Sequence, residues 1–168
     1  MAAHQDYKRA LSKGGAEVAK KRVRNAFQIA TLVYRWNVDE LEILLITSRE
    51  TRRWILPKGW PMAGKTAAAT AAREAEEEAG ILGHVMKRPL GRYASIKRIG
   101  EMALPSEVEV YALHFVKQKQ KWKERGQRIC RWLAAAEAAE SVAEPELAAI
   151  IRDFAEDMRR AEKTAQSA

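Results

Sequence analysis

Only one of the 168 residues is a cysteine, which excludes an intramolecular disulfide and any cysteine metal cluster. That residue, Cys130, lies in the stretch Ile129-Cys130-Arg131-Trp132, and this context predicts a buried position in a strand rather than a nucleophile. Long apolar runs are also missing. No segment reaches the roughly 20 residues that cross a bilayer, and no signal-like apolar region follows the first residues. We therefore expect a cytoplasmic protein with no membrane partner.

Acidic residues are in the minority, with 22 Asp and Glu against 30 Lys and Arg, a net charge of +8. The excess is uneven: residues 1–24 carry a net +5, residues 25–132 carry +7 and residues 133–168 carry −4. A cationic body of this kind suits a polyanionic small molecule. Nucleic acid is less favoured as a partner, because no recognisable nucleic-acid-binding motif accompanies the charge.

The length allows one well-buried core and is short for two domains. We predict a mobile basic segment over residues 1–24 and a single domain over 25–168 that ends in a helix. Alternation and β-branched residues predict strands, and an Ala-rich run between Thr66 and Gly80 predicts a capped helix. An apolar stripe in the last helix should pack against the edge of the sheet. The predicted strands are 27–34, 42–47, 54–56, 81–87, 92–99, 107–116 and 129–132, and the later helices are 134–142 and 146–161.

Four carboxylates crowd into five positions of the Ala-rich helix. Glu74, Glu77 and Glu78 are spaced i, i+3 and i+4, so they lie on one face one turn apart. Like charges at this spacing repel, and a cation among them would relieve the repulsion. Three carboxylates suit Mg²⁺, with Mn²⁺ as an alternative, because both are hard cations. A charge run of this kind is otherwise a solvated acidic helix.

The stretch from Gly59 to Ile81 resembles the Nudix hydrolase signature, G-x5-E-x7-R-E-U-x-E-E-x-G-U, where U is a bulky apolar residue. The sequence departs from it at Lys65, where the signature has Glu, and at Ala75, where it has a bulky residue. The resemblance implies an α/β fold, the Nudix-type α/β/α sandwich with a mixed β-sheet, over about residues 25–160. Seven residues match in register: Gly59, Arg73, Glu74, Glu77, Glu78, Gly80 and Ile81.

The resemblance also implies hydrolysis of a pyrophosphate linked to a nucleoside or another group. Glu74, Glu77 and Glu78 would hold the metal ion, together with a backbone carbonyl at Lys58 or Gly59. Arg73 would orient the carboxylates rather than contact the substrate.

The general base is not fixed by the signature, since this family places it variously on the helix or on a later loop. Glu124 stands where such a loop would fall, and Glu107 is a second candidate at the start of a strand.

A dense basic series precedes the acidic helix and exceeds what one pyrophosphate needs. The series suits a diphosphoinositol polyphosphate or a dinucleoside polyphosphate, and residues 53–60 resemble that branch of the family. A sugar nucleotide such as ADP-ribose also stays open. The candidate substrate-binding residues are Arg49, Arg52, Arg53, Lys58 and Lys65.

Two other classes of function remain. Because Lys65 replaces an acidic residue of the signature, the chain could be a catalytically weak module that binds a phosphorylated ligand. A basic RNA-binding protein with an incidental acidic helix is the other. The sequence leaves the exact substrate, the preferred metal and a homodimer open.

Overall fold

A computed structural model describes residues 26–167. A largely apolar run that begins at Ala26 forms the first strand of a mixed sheet. The predicted basic segment 1–24 lies outside the described residues. The strands are β1 (Ala26–Asn37), β2 (Glu40–Thr47), β3 (Trp54–Ile55), β4 (Lys58–Gly59), β5 (Ile81–Val85), β6 (Gly91–Ile99), β7 (Met102–Gln118) and β8 (Cys130–Ala134). The helices are α1 (Ala67–Ala79), α2 (Ala135–Ser141) and α3 (Pro145–Gln166).

Strand β1 is the middle of the sheet, whose main order is β3-β2-β1-β7-β5. It forms the predicted antiparallel hairpin with β2, across a turn in which Val38 has a positive φ of 57°. On its other side it runs parallel to β7, from Ala26 opposite Ser106 to Tyr34 opposite His114. β4 pairs with β1, β6 with β7 and β8 with β2, all antiparallel. The sheet is therefore mixed, as expected.

Both faces of β1 are buried, which explains why its sequence is almost continuously apolar. Leu32 and Tyr34 belong to a core cluster that α2 and α3 cover. Ile29 and Val33 point to the opposite face, towards α1. The result is three layers, helix on sheet on helix, and the predicted α/β/α arrangement is confirmed.

Both predicted ends of α1 are confirmed. The Thr66 hydroxyl accepts a hydrogen bond from the Ala69 amide at 3.1 Å, and Gly80 ends the helix in the left-handed region with φ of 70°. Small residues let α1 approach the sheet closely, since Ala71 and Ala75 are fully buried. The Thr31 hydroxyl donates a hydrogen bond to the Ala71 carbonyl and ties the helix to β1. These contacts fix α1, and with it the acidic run, against the sheet.

Two features differ from the predictions. The apolar stripe of α3 packs on the face of the sheet rather than its edge, because Ile151 and Phe154 join the same cluster as residues of the central strands. Strand β4 was not predicted, since two residues are too short to show a period.

The predicted position of Cys130 in a strand is confirmed, because the residue lies in β8. Its side chain is half-buried rather than buried. Among residues 26–167, no helix has the length and apolar character to cross a bilayer.

Candidate functional site

The short strand β4 runs against the acidic face of α1. The Lys58 amide donates a hydrogen bond of 3.0 Å to Oε2 of Glu78. At Gly59, a Cβ atom would overlap the Glu74 carboxylate, so a larger residue there would displace this carboxylate from the strand. Two residues of the metal-binding prediction, Glu74 and Glu78, and the backbone of Gly59 are thus brought together.

Glu74 is buried, with 8% of its surface exposed, and its carboxylate accepts no hydrogen bond from the described residues. Burial, and after it the nearby carboxylates of Glu78, Glu77 and Glu124, raises the pKa of Glu74 to about 8. An isolated buried carboxylate is unfavourable unless a cation or a proton neutralises it. Glu74 therefore marks a position that a cation would stabilise.

Glu78 is equally buried but has partners at both carboxylate oxygens. Its Oε1 lies 2.6 Å from Nη2 of Arg128, while Oε2 accepts the hydrogen bond from Lys58. Burial raises the pKa of Glu78 to about 7, and the positive charge of Arg128 opposes that rise. In this structure Glu78 is thus neutralised by a buried arginine.

Glu77 lies towards solvent on the same helix and is held by two cations. Nε of Arg73 lies 2.9 Å from one carboxylate oxygen, and Nζ of Lys123 lies 2.7 Å from the other. Arg73 also reaches Glu76 at 3.0 Å. Arg73 therefore orients the outer pair of carboxylates, while its side chain makes no ion pair with Glu74 or Glu78.

The segment between β7 and β8 brings Glu124 to the acidic helix. The Glu124 amide donates a hydrogen bond of 3.1 Å to the Glu77 carbonyl, and its carboxylate lies 2.8 Å from Nε of Arg128. Nη1 of Arg49 approaches the other carboxylate oxygen at 3.5 Å. Glu107, the alternative general base, is half-exposed, pairs with Arg92 and lies outside the cavity described next. Of the two candidates, Glu124 is beside the acidic cluster.

A cavity of about 600 Å³ opens beside Glu78, between the segment that follows β2 and the end of β6. Three of the five predicted substrate-binding residues line it, whereas Arg52 and Lys65 lie outside its lining. Arg52 instead donates a hydrogen bond to the Gln127 carbonyl at 3.4 Å, and Lys65 is exposed. The cationic residues of the lining are Arg49, Arg53, Lys58, Lys97, Arg98 and Arg128.

Lys58 is one of the cationic residues that line this cavity. Its Nζ lies 3.1 Å from Oε1 of the buried Gln28. Burial, and after it the charge of Lys97, lowers the pKa of Lys58 to about 8. An anionic group in the cavity would oppose both effects and stabilise the charged form of Lys58.

Sequence reasoning missed Lys97, Arg98 and Arg128. Lys97 and Arg98 lie near the end of β6, about 40 positions from the basic series before α1. Arg128 was one basic residue among many in its loop. The one local signal was the pair of adjacent cations in a strand, and only the register of β6 on β7 brings that pair to the cavity.

The chemistry of these side chains suits a hard divalent cation, because the buried Glu74 has no hydrogen-bond partner within residues 26–167 and lies among other carboxylates. In the side-chain positions of the described residues, however, no three His, Cys, Asp or Glu groups converge as a metal site. The reason is visible in the contacts: Glu77 and Glu78 each point at basic side chains. The residues fit the ion once those ion pairs give way.

Comparison with known proteins identifies a NUDIX domain over residues 26–157. Two plant proteins from Arabidopsis thaliana are similar in sequence. Nudix hydrolase 12, mitochondrial, is 34% identical over 107 residues, which cover 61% of this chain and 53% of that protein. Nudix hydrolase 16, mitochondrial, is 32% identical over 109 residues, which cover 62% and 60%. The chain thus spans little more than half the length of these curated relatives.

Solved structures share the fold at low sequence identity. An Ap4A hydrolase from C. elegans in a binary complex superposes with a TM-score of 0.60 and 19% identity, covering 80% of this chain and 98% of that one. The NUDIX domain of Shewanella oneidensis NrtR, complexed with ADP ribose, gives a TM-score of 0.58 and 14% identity, covering 77% and 88%. At these identities the likeness concerns the fold.

Proposed function

Because the chain belongs to the Nudix family, we propose that it is a metal-dependent hydrolase that cleaves a pyrophosphate bond in a highly anionic small molecule. The observation that carries the proposal is that Glu78, a member of the acidic cluster, lines the cavity together with six cationic residues. Carboxylates that can hold a divalent cation and side chains that can hold phosphates are then within one site, as hydrolysis of a pyrophosphate requires.

Glu74, Glu77 and Glu78 would hold Mg²⁺ or Mn²⁺ with the carbonyl of Gly59. When bound, such an ion neutralises phosphate charge and lowers the pKa of a coordinated water. In the metal-free protein, Arg73 and Lys123 hold the Glu77 carboxylate through ion pairs. These assignments are supported by the close approach of Gly59 to Glu74 and by the unpaired carboxylate of Glu74.

Glu124 is the proposed general base. Its backbone hydrogen bond to Glu77 keeps the loop against the helix, so the carboxylate stays beside the acidic cluster. A carboxylate in that position can accept the proton of the attacking water. Arg49, Arg53 and Lys58 would bind the phosphates, joined by Lys97 and Arg98.

The substrate is proposed to be a diphosphoinositol polyphosphate or a dinucleoside polyphosphate. The cavity lining holds six cationic residues against the three carboxylates of Glu50, Glu78 and Glu144, a formal net charge of +3 that suits a substrate with several phosphates. The fold similarity to an Ap4A hydrolase favours the dinucleoside polyphosphate within this pair. A cytoplasmic location stays a prediction, and the names of the two plant relatives assign those proteins to mitochondria.

Substrate and metal dependence can be tested together. We expect hydrolysis of at least one member of a panel of diphosphoinositol, dinucleoside polyphosphate, ADP-ribose and nucleoside triphosphate substrates, measured by chromatographic separation of the products, with Mg²⁺ and not with EDTA. Glu78→Gln should abolish turnover with the fold intact, because it keeps the volume of the side chain and removes an anionic ligand. The matched control is Glu76→Gln, on the same helix but directed to Arg73 and Lys119, and it should retain the rate.

The alternative is a module that binds a phosphorylated ligand without cleaving it, which the Lys65 departure keeps open. No turnover across the panel, combined with tight binding of one of these compounds in EDTA, would favour that module. Turnover that survives Glu78→Gln at saturating Mg²⁺ would refute the metal assignment. Loss of turnover in both glutamine variants would mean that the helix as a whole, not Glu78, had been disturbed.

A further inference from the structure

Arg128 is an unusual residue for a buried position. Only 6% of its side chain is exposed, although a guanidinium is costly to remove from water without partners. It has three: Glu78 at 2.6 Å, Glu124 at 2.8 Å and the Thr47 carbonyl at 3.1 Å. Arg128 therefore acts as an internal cation that links the acidic helix to the loop carrying Glu124.

This placement conflicts with metal binding at the same carboxylates. Both oxygens of Glu78 are engaged, one by Arg128 and the other by the Lys58 amide. A divalent cation that binds Glu78 beside Glu74 has to approach the carboxylate that the Arg128 guanidinium now holds. The guanidinium and the metal ion would also repel each other at such a short separation.

Arg128 has a second environment within reach. Its side chain lines the cationic cavity together with Arg53 and Lys58. The arginine side chain is long and rotates about several single bonds, so its planar head can turn without movement of the backbone. Phosphate oxygens are suitable partners there, because a guanidinium binds them through two parallel hydrogen bonds.

We propose that Arg128 exchanges partners when the metal binds. In the metal-free protein it neutralises Glu78 and Glu124. In the metal-bound protein it turns into the cavity and pairs with a substrate phosphate. Arg128 is then a positioning residue in one state and a substrate contact in the other. This inference rests on the proposed metal-dependent function, but its test does not depend on turnover.

The first test compares Mn²⁺ affinity, measured by electron paramagnetic resonance without substrate, in the wild type and in Arg128→Met. Removing the competing charge should tighten Mn²⁺ binding about tenfold, within the usual range of coupling between two sites. Arg131→Met is the matched control, since Arg131 is three positions away, 61% exposed and 3.9 Å from Glu137. Its Mn²⁺ affinity should equal that of the wild type.

The second test measures the wild-type protein, and a substitution serves only to assign the signal. In wild-type protein labelled with ¹⁵N arginine, the Arg128 Nε–H signal, assigned by its loss in Arg128→Lys, should be slowly exchanging in EDTA. Saturating Mg²⁺ should make its hydrogen exchange with water at least tenfold faster, because the group leaves its buried carboxylates.

The outcomes are distinct. A protein that binds Mn²⁺ with an unaltered Arg128 signal, and with equal affinity in Arg128→Met, would overturn the exchange and leave the proposed function standing. Weaker Mn²⁺ binding in Arg128→Met would also overturn it, because Arg128 would then support the metal site. A wild type that binds no Mn²⁺ or Mg²⁺ would remove both the exchange and the proposed function.

Discussion

At the residue scale, Glu74 should make the metal-free protein less stable as the pH rises. Its pKa is about 8 in the folded state against an ordinary 4.5, so between these values the unfolded chain loses a proton that the folded chain keeps. Stability present below about pH 4.5 is then lost progressively up to about pH 8, at no more than ~1.4 kcal/mol per pH unit for each such group. Glu78, with a pKa of about 7, acts in the same direction.

Urea denaturation in EDTA from pH 5 to pH 8 measures this slope. Glu74→Gln should remove about half of it, because glutamine does not titrate and Glu78 remains. Glu76→Gln is the control: hydrogen bonding to Lys119 lowers the pKa of Glu76, so its removal should not flatten the slope. A slope that persists unchanged in Glu74→Gln would mean that the Glu74 carboxyl is not buried in solution.

Arg52 and Arg53 offer a second contrast, because adjacent arginines have different surroundings. Arg53 lines the cavity, whereas Arg52 points to the Gln127 carbonyl from a backbone with a φ of 54°. We expect Arg53→Gln to raise KM for the best substrate of the panel about tenfold, as the loss of one charge-assisted hydrogen bond would. Arg52→Gln should leave KM within about twofold of the wild type.

Steady-state kinetics at fixed Mg²⁺ decides between the two arginines. Equal effects of the two substitutions would contradict the placement of the cavity. The sequence predicts that the basic series before α1 binds phosphate, but it does not indicate which of its members line the cavity. That choice depends on a backbone turn in which neighbouring side chains diverge.

At the element scale, α1 was the most predictable part of the molecule. Thr66 and Gly80 are local capping signals, and both act within a few residues of the chain. Strand β4 was not predictable, because its two residues are defined by pairing with Ile29 and Ala30, some 30 positions away. The same difference applies to the candidate site. Its acidic side chains could be predicted from one helix, whereas Arg128 and Lys97 reach it through strands that pair over long distances in the sequence.

Gly80 has a role beyond ending the helix. A Cβ there would overlap the ring of Trp122, two residues before Glu124. Gly80→Ala should therefore cost more than backbone strain alone, about 2–3 kcal/mol of unfolding free energy. Gly100→Ala is the matched control, because its φ of 57° is similar and nothing lies within 4 Å of a Cβ. It should cost about 1 kcal/mol.

Urea denaturation of both alanine variants separates the two costs. Equal losses would show that Trp122 does not pack on Gly80 in solution. A larger loss in Gly80→Ala, together with weaker Mn²⁺ binding, would indicate that the helix end also positions the loop that carries Glu124.

At the scale of the whole molecule, the layered arrangement followed from the family resemblance rather than from the residues themselves. Alternation predicts that a segment is a strand, but β1 is apolar on both faces and carries no signal of its neighbours. Its parallel partner β7 is fixed by the complete set of pairings. The unequal charge distribution did predict a cationic body, and six of its cationic side chains line the cavity.

The parallel pairing of β1 with β7 also governs how this protein can be made. Ala26 lies opposite Ser106, a separation of 80 positions. A ribosome that adds about 5–20 residues each second therefore needs several seconds to supply the partner of a strand it has already released. During that interval the hairpin of β1 and β2 exposes apolar residues and an open edge, which is the condition under which chaperones act and chains aggregate. Slower translation between residues 26 and 106 should lengthen this vulnerable interval.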